Sequence, residues 1–83
     1  MQRSLTIRYF AAARAAVGVD SEQYEVQGHE RVGDIFDRLA QAHPALRSVL
    51  PRCSVLLDSI AAPTTRTIGA AATLDVLPPF AGG

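Results

Sequence analysis

The residues best suited to chemistry in this chain stand at its C-terminal end. The sequence closes with Leu77, Pro78, Pro79, Phe80, Ala81, Gly82 and Gly83. Gly82 and Gly83 have no side chain to bury, and ordering their backbone costs conformational entropy. Pro78 and Pro79 cannot donate sheet hydrogen bonds, so they end the preceding strand and hold the chain extended. These features predict a slender tail whose terminal carboxylate enters a narrow site on another protein. An ordinary frayed terminus is the alternative.

Two large apolar side chains flank the point where this tail begins. Leu77 and Phe80 are both predicted to project near the exit of the tail. Exposed apolar residues at such a position favour contact with a partner protein. Under the alternative, Phe80 folds back and covers the core. The predicted partner-binding residues are therefore Leu77, Pro78, Pro79 and Phe80, and the predicted tail residues are Ala81, Gly82 and Gly83.

The other residues that could carry chemistry form no recognisable site. Cys53 lies on an alternating stretch, where a lone cysteine is usually a small apolar core residue, and we expect it to pack in the core. His29 and His43 have no metal-ligand spacing to each other or to Cys53, so we expect surface or helix-end positions for both. No nucleophile motif frames any serine. The sequence predicts a protein that binds no metal or cofactor and does not catalyse a reaction alone.

Length and composition indicate one small globular domain. The chain has 83 residues, of which 48% are hydrophobic and 19% charged, and its formal net charge is zero. All eight basic residues are arginines, so no side-chain amine is available for an isopeptide bond or a Schiff base. Without a basic block or a long apolar run, we expect neither nucleic acid nor a membrane as a partner. A single cysteine cannot form an internal disulfide, which fits a cytoplasmic location.

The first part of the chain predicts two strands around a short helix. Alternating apolar residues indicate a strand over residues 5–10 and another over residues 23–26, which Gly28 ends. Between them, the alanine-rich residues 11–17 predict one or two helical turns that Gly18 closes.

The middle of the chain predicts the main helix. Apolar residues recur at helical spacing from Val32 to Ala40. His43 precedes Pro44 and disfavours helical backbone, so the helix should end there. Residues 44–50 predict one further short helical turn.

The remainder of the chain predicts more strands. We expect a third strand over residues 53–58, a short one near residues 65–68 and a last one over residues 73–77. In the last strand, Asp75 and Leu77 should face outward.

This order of elements predicts an α+β fold. One long amphipathic helix is available, so it must cover one face of a small mixed sheet. Two strands, a helix and further strands are the order of a β-grasp fold, in which the final strand could run beside the first. Residues 1–77 are predicted to form this domain and residues 78–83 an extended tail.

Two segments and the single helix between them resemble a known family. The segments are Ile7-Arg8-Tyr9-Phe10-Ala11-Ala12-Ala13-Arg14 and Asp75-Val76-Leu77-Pro78-Pro79-Phe80-Ala81-Gly82-Gly83. They are similar to the MoaD family, the small sulfur-carrier subunit of molybdopterin synthase in the ubiquitin-like MoaD/ThiS superfamily. The resemblance spans nearly the whole chain, and its specificity lies in the Pro-Pro and Gly-Gly ending.

Four features depart from the family pattern. The turn Asp58-Ser59 replaces an Asn-Gly type turn, and residues 69–72 replace an acidic turn that contains glycine. Phe80 replaces an aliphatic residue, and Ala81 replaces a serine or threonine. The first two departures concern turn stability, whereas the last two lie on the tail and could mark a subfamily with another acceptor.

The resemblance implies a function for the tail. An E1-like adenylating enzyme would use ATP to adenylate the Gly83 carboxylate, and a sulfur donor would displace AMP and leave a thiocarboxylate. The large subunit of molybdopterin synthase, in a heterotetramer, would receive the tail and use its sulfur to build the dithiolene of molybdopterin. The carrier would supply a positioned nucleophile, and the complex would be the enzyme.

Three alternatives stay open beside this function. A carrier with the same chemistry could deliver sulfur to thiamine or cysteine synthesis, which Phe80 and Ala81 allow, whereas Pro78 and Pro79 favour the synthase. A ubiquitin-like modifier joined to target lysines shares the Gly-Gly ending. A β-grasp interaction module without tail chemistry would be indifferent to the loss of Gly82 and Gly83.

Overall fold

The computed structural model describes residues 2–79. The elements in chain order are β1 (Gln2–Tyr9), α1 (Ala11–Val17), β2 (Ser21–Gln27), α2 (Val32–Ala42), two 3₁₀ helices (Pro44–Ser48 and Leu50–Arg52), β3 (Ser54–Leu57), β4 (Ile60–Ala62) and β5 (Thr73–Leu77). Within these residues, no helix is both long and apolar enough to cross a membrane.

All five strands belong to one mixed sheet. Their order is β2-β1-β5-β3-β4, so β5 is the middle strand although it comes last in the chain. β1 and β5 run parallel, while β2, β3 and β4 each pair antiparallel with their neighbours. The predicted placement of the final strand beside the first is therefore confirmed, and with it the β-grasp arrangement.

The main helix packs its apolar stripe against one face of this sheet. Val32, Ile35 and Leu39 of α2 are fully buried, as their helical spacing predicts. The backbone N–H of Arg31 donates to Asp34 Oδ2 at 2.8 Å, which caps the first turn and places an acidic group at the positive end of the helix dipole. The buried side chains of the sheet that complete the core are Leu5, Ile7, Tyr9, Val26, Val55, Leu57, Leu74 and Val76.

The short helix α1 ends as its sequence predicts. Ala13 is its buried residue. Gly18 has φ 90° and donates its backbone N–H to the carbonyl of Arg14, which is the left-handed C-terminal cap that glycine favours. This helix leads directly out of β1, so its start lies beside the last residues of that strand.

The predicted short strand near residues 65–68 is wrong. The structure places β4 at Ile60–Ala62, and residues 65–68 contribute only an isolated bridge between Arg31 and Thr67. β4 is three residues long and two of them are alanines, so it carries no alternation that a sequence pattern could reveal. Its pairing with β3 depends instead on a tight turn that brings the two strands together.

Neither of the two residues that form this turn is a glycine. Asp58 and Ser59 have φ values of 48° and 69°, both in the left-handed region. Two successive residues with positive φ are typical of the hairpin turns that match the twist of antiparallel strands. As a result β3 ends at Leu57, one residue before the predicted end of the third strand.

Candidate functional site

The middle strand of the sheet sets the origin of the tail. β5 pairs with β1 on one side and with β3 on the other, through Tyr9 opposite Val76 and Ser54 opposite Leu77. The chain therefore leaves the sheet between two hydrogen-bonded neighbours rather than from a free edge. A tail that starts on a rigid central strand has a well-defined first position, which is the first requirement for presenting a reactive group to another protein.

The described part of the predicted site ends at Pro79. β5 ends at Leu77, and Pro78 follows directly, as the missing N–H of proline predicts. Leu77 is half-buried on the outer face, Pro78 is buried and Pro79 is exposed. The predicted roles of Phe80, Ala81, Gly82 and Gly83 concern residues outside the described part of the chain. These roles, and the division into residues 1–77 and 78–83, stay predictions.

A mostly apolar groove lies beside this exit. It has a volume of about 260 Å³ and is lined by Ala12, Ser48, Val49, Arg52, Pro78 and Pro79. Its walls come from α1, from the segment of the two 3₁₀ helices and from the first residues after β5. The groove therefore places one cationic side chain, that of Arg52, at the base of the tail.

An ion pair on the outer face of the sheet was not predicted from the sequence. Asp75 was expected to face outward, and although it does, its side chain is only 5% exposed. Arg8 on β1 is the reason, because its Nε and Nη2 donate to the two carboxylate oxygens of Asp75 at 2.6 and 2.7 Å. This bidentate pair, with the carboxylate beside the guanidinium, raises the pKa of Arg8. The predicted outward direction of Asp75 is confirmed, and its burial is the result of the contact with Arg8.

The sequence pattern indicates that both residues of this pair face outward, but it does not show that they are partners. Arg8 and Asp75 each occupy outward positions on their own strands, and both lie within the two segments that carry the family resemblance. Only the register of the parallel pair, in which Arg8 lies opposite Asp75, makes them partners. They are separated by 67 positions along the chain, so no local pattern connects them.

The predicted packing role of Cys53 is confirmed. The side chain is half-buried and packs against the core cluster. Its thiol donates to the carbonyl of Val49 over 3.3 Å. Burial raises the pKa of the Cys53 thiol, which keeps it protonated and disfavours the reactive thiolate. Cys53 is thus a structural residue in this fold.

The two histidines lie where they were expected. His29 is exposed, and His43 is the residue that ends α2, with its backbone N–H donating to the carbonyl of Leu39. His43 Nε2 lies 2.8 Å from Glu22 Oε1, which also accepts the Tyr9 hydroxyl at 2.7 Å. Within residues 2–79, no three His, Cys, Asp or Glu side chains are grouped as metal ligands.

The described residues at the exit of the tail limit what this part of the chain can do. The described residues at the end of β5 are apolar or proline, with Arg52 beside them, so they can position a chain segment but offer it no paired acid and base.

Comparison with known proteins gives matches along almost the entire chain. A family model described as the ThiS family matches residues 7–83. The molybdopterin synthase sulfur carrier subunit of Mycobacterium tuberculosis is 31% identical over 80 residues, which are 95% of this chain and 96% of that protein. The protein with the same name from Chlamydomonas reinhardtii is 26% identical over 81 residues, which are 95% of this chain and 98% of that one.

Solved structures share the fold. SAMP1 from Haloferax volcanii superposes with a TM-score of 0.82 at 30% identity, over 98% of this chain and 100% of that one. A second crystal structure, of the small archaeal modifier protein 1 of H. volcanii, has a TM-score of 0.80 at 30% identity, over 92% of this chain and 97% of that one. The complex of subunits 1 and 2 of the molybdopterin-converting factor from Helicobacter pylori contains a chain with a TM-score of 0.61 at 15% identity, with 98% and 100% of the two chains covered. This last likeness concerns the fold alone.

Proposed function

Because the chain belongs to the ThiS family, we propose that it is a sulfur carrier protein whose Gly83 carboxylate is the group that carries sulfur. The observation that supports this function most strongly is the ending itself, in which Pro78 and Pro79 stop the central strand and two glycines complete the chain. The near full-length similarity to two molybdopterin synthase sulfur carrier subunits supports the same function.

The first step of the proposed cycle activates the terminal carboxylate. A carboxylate is a poor electrophile, so an E1-like enzyme would join Gly83 to AMP from ATP, with release of pyrophosphate. A sulfur donor at the oxidation level of sulfide would then attack the acyl carbon. A C–S bond forms, the bond to AMP breaks, and a terminal thiocarboxylate remains. ATP is bound by the activating enzyme, and the carrier itself needs no cofactor.

The second step delivers the sulfur. The large subunit of molybdopterin synthase would receive the tail, and the thiocarboxylate sulfur would form a C–S bond to a carbon of the pterin precursor as a C–O bond at that carbon breaks. A second loaded carrier would supply the second sulfur of the dithiolene in the same way. Hydrolysis of the resulting acyl–sulfur bond returns the Gly83 carboxylate. In this scheme the chain is a non-catalytic subunit, and the heterotetramer with the large subunit is the enzyme.

The physical contribution of the carrier is proximity. A nucleophile held at the correct place converts a bimolecular step into an effectively unimolecular one, which can lower a barrier by roughly 7–11 kcal/mol. Gly82 and Gly83 suit this task because neither adds a Cβ that would widen the tail inside a channel. The two prolines limit the conformations open to the start of the tail, which reduces the entropy lost when it enters that channel.

The test is sulfur loading followed by intact-mass measurement. The native chain is incubated with its adenylating enzyme, ATP and a sulfur donor. We expect a mass gain equal to the replacement of one oxygen by sulfur at the C-terminus, reversed by mild hydrolysis. The matched control omits ATP. Adding the large subunit and the pterin precursor should then consume the loaded form and produce the dithiolene. Absence of ATP-dependent loading with an enzyme that loads other carriers would overturn the proposal.

A second candidate function is protein modification. The similarity to the small archaeal modifier protein 1 of H. volcanii, at 30% identity over nearly the whole chain, favours it. In this case the activated Gly83 would form an amide with a lysine of another protein. Incubating the chain with extract and ATP distinguishes the two functions, because a modifier yields amide adducts, formed as the lysine amine displaces AMP, that survive thiols and reducing conditions, whereas a sulfur carrier returns as the free chain.

A further inference from the structure

The outer face of the sheet contains a charged pair in which only the carboxylate is buried. Both oxygens of the Asp75 carboxylate are bound by Arg8, whose side chain is 48% exposed. An ion pair with one half-exposed partner commonly contributes only about 1 kcal/mol or less to stability, because solvent screens the attraction. The two bonds also have a geometric consequence. They fix the plane and direction of the Arg8 guanidinium.

The fixed guanidinium has donors left for another protein. It carries five N–H groups, and the two bonds to Asp75 occupy Nε and one N–H of Nη2. Among the residues that the structure describes, Asp75 is its hydrogen-bond partner. Its carbon Cζ also lies 5.9 Å from the centre of the Phe10 ring, and this cation–π contact further restricts the position of the guanidinium. The remaining N–H groups are thus pre-oriented on the half-exposed side.

The position of Arg8 connects it to the tail. One row of outward residues crosses four strands, because Arg8 lies opposite Asp75, Asp75 opposite Leu56 and Leu56 opposite Ala61. Leu77 lies on the same face, two residues beyond Asp75 and directly before Pro78. A protein that takes up the tail along this face would meet the apolar side chains of the row and the Arg8 guanidinium together.

We propose that Arg8, held by Asp75, is a specificity-determining contact that binds a carboxylate on the large synthase subunit that receives the tail. This inference rests on the proposed function. An oriented guanidinium binds a carboxylate through parallel charge-assisted bonds, and it repels a partner that presents a cation at that point. Leu56 and Leu77 on the same face of the sheet would supply the apolar contact, while Arg8 would determine which partner binds.

The decisive variant removes the pair without leaving a buried charge. Arg8→Met together with Asp75→Leu keeps the net charge and the approximate volume, so the double variant should fold with a melting temperature equal to or above that of the native chain. Its Kd for the large synthase subunit from the same organism, measured by calorimetry, should rise about 10- to 100-fold, as expected for loss of a charged interface anchor. The matched control is Arg38→Met with Glu30→Gln. It removes a different arginine–carboxylate pair, which has an N–O distance of 3.2 Å and involves helix α2, and it should leave the Kd unchanged.

A second variant separates charge from geometry. Arg8→Lys keeps the positive charge but cannot form the bidentate pair with Asp75, so it should weaken binding by nearly as much as the double variant. Native affinity for Arg8→Lys would overturn the claim that orientation matters. Native affinity for the folded double variant would overturn the proposal altogether, although the proposed function would stand. If the native chain itself loads no sulfur and binds no large subunit, the proposed function fails instead.

Discussion

Asp58 shows how one side chain can hold a strained turn in place. Its backbone lies in the left-handed region, which aspartate tolerates better than most residues. Its Oδ1 accepts the backbone N–H groups of Ala72 at 2.8 Å and Thr73 at 3.0 Å, and also the Thr73 hydroxyl at 3.3 Å. These bonds favour the ionised carboxylate and lower the pKa of Asp58. The residue thereby ties the β3–β4 turn to the start of β5.

The lowered pKa of Asp58 predicts a specific dependence of stability on pH. Because the folded pKa lies below the unfolded value, this stabilisation is present at neutral pH and is lost as the pH falls through the folded pKa. Asp58→Asn keeps a hydrogen-bond acceptor and tolerates positive φ, but it removes the negative charge that strengthens these bonds. The variant should therefore melt at a lower temperature than the native chain at neutral pH. The two melting temperatures should converge in strong acid. Thermal melts across a pH series check this, and a constant difference at all pH values would contradict it.

Phe80 is predicted to contact the partner and not the core. Truncating an interface anchor commonly costs on the order of 2 kcal/mol or more of binding free energy. Phe80→Ala should therefore weaken binding to the large subunit and leave the melting temperature nearly unchanged. The comparison is Leu74→Ala, which removes a fully buried side chain and should lower stability by about 2–5 kcal/mol. A large fall in melting temperature for Phe80→Ala would place Phe80 in the core.

At the scale of elements, Glu22 joins β1, β2 and the end of α2. Its Oε1 accepts the hydroxyl of Tyr9 at 2.7 Å and lies 2.8 Å from His43 Nε2. The ring of His43 also meets the ring of Tyr9 edge-on, with 6.3 Å between centroids. Burial and, next, the bond to Glu22 raise the pKa of Tyr9, so its phenol stays protonated well into the alkaline range. The cluster fixes where the main helix stops relative to the sheet.

Removing one hydroxyl from this cluster should have a measurable effect. Tyr9→Phe keeps the ring in the core but removes one hydrogen bond, so the free energy of unfolding should fall by about 1 kcal/mol near neutral pH. Since the folded pKa of Tyr9 lies above its unfolded value, the native chain loses stability as the pH rises past about 10, and the variant avoids this part of the loss. Denaturant titrations at neutral and alkaline pH check both effects. An equal difference at both pH values would show that Tyr9 does not titrate on unfolding.

At the scale of the whole molecule, function depends on the distance from the rigid sheet to the terminal carboxylate. An extended residue spans roughly 3.3–3.6 Å. Deleting Gly83 leaves an equivalent carboxylate on Gly82 that is one residue short, and appending one residue moves the reactive carbon too far. A misplacement of about 1 Å can cost on the order of 100-fold in rate. Both changes should reduce sulfur delivery by at least that factor.

Neither change in length touches the described core, so both variants should melt like the native chain. Sulfur loading is measured by intact mass and delivery by dithiolene formation. Loading with failed delivery would place the length requirement in the channel of the large subunit. Native rates of both steps in both variants would refute a reactive Gly83.

The sequence by itself determined the elements whose signals are local. Alternation located β1 and β2, helical spacing located α2, and Gly18 and Pro78 marked where α1 and β5 end, because each depends on neighbours within a few residues. The order of these elements was also enough to predict the β-grasp fold. The roles assigned to residues 80–83 rest on the sequence and the family.

Tertiary structure alone decided the features that depend on strand register. Three residues with no periodic pattern form β4 because β3 offers them an edge, and Asp75 is buried because the parallel register brings Arg8 over it. The three-way contact of Tyr9, Glu22 and His43 arises in the same manner. Such contacts join residues that are far apart in sequence. Their free energy depends on three-dimensional distances, which cannot be read from a local pattern of residue types.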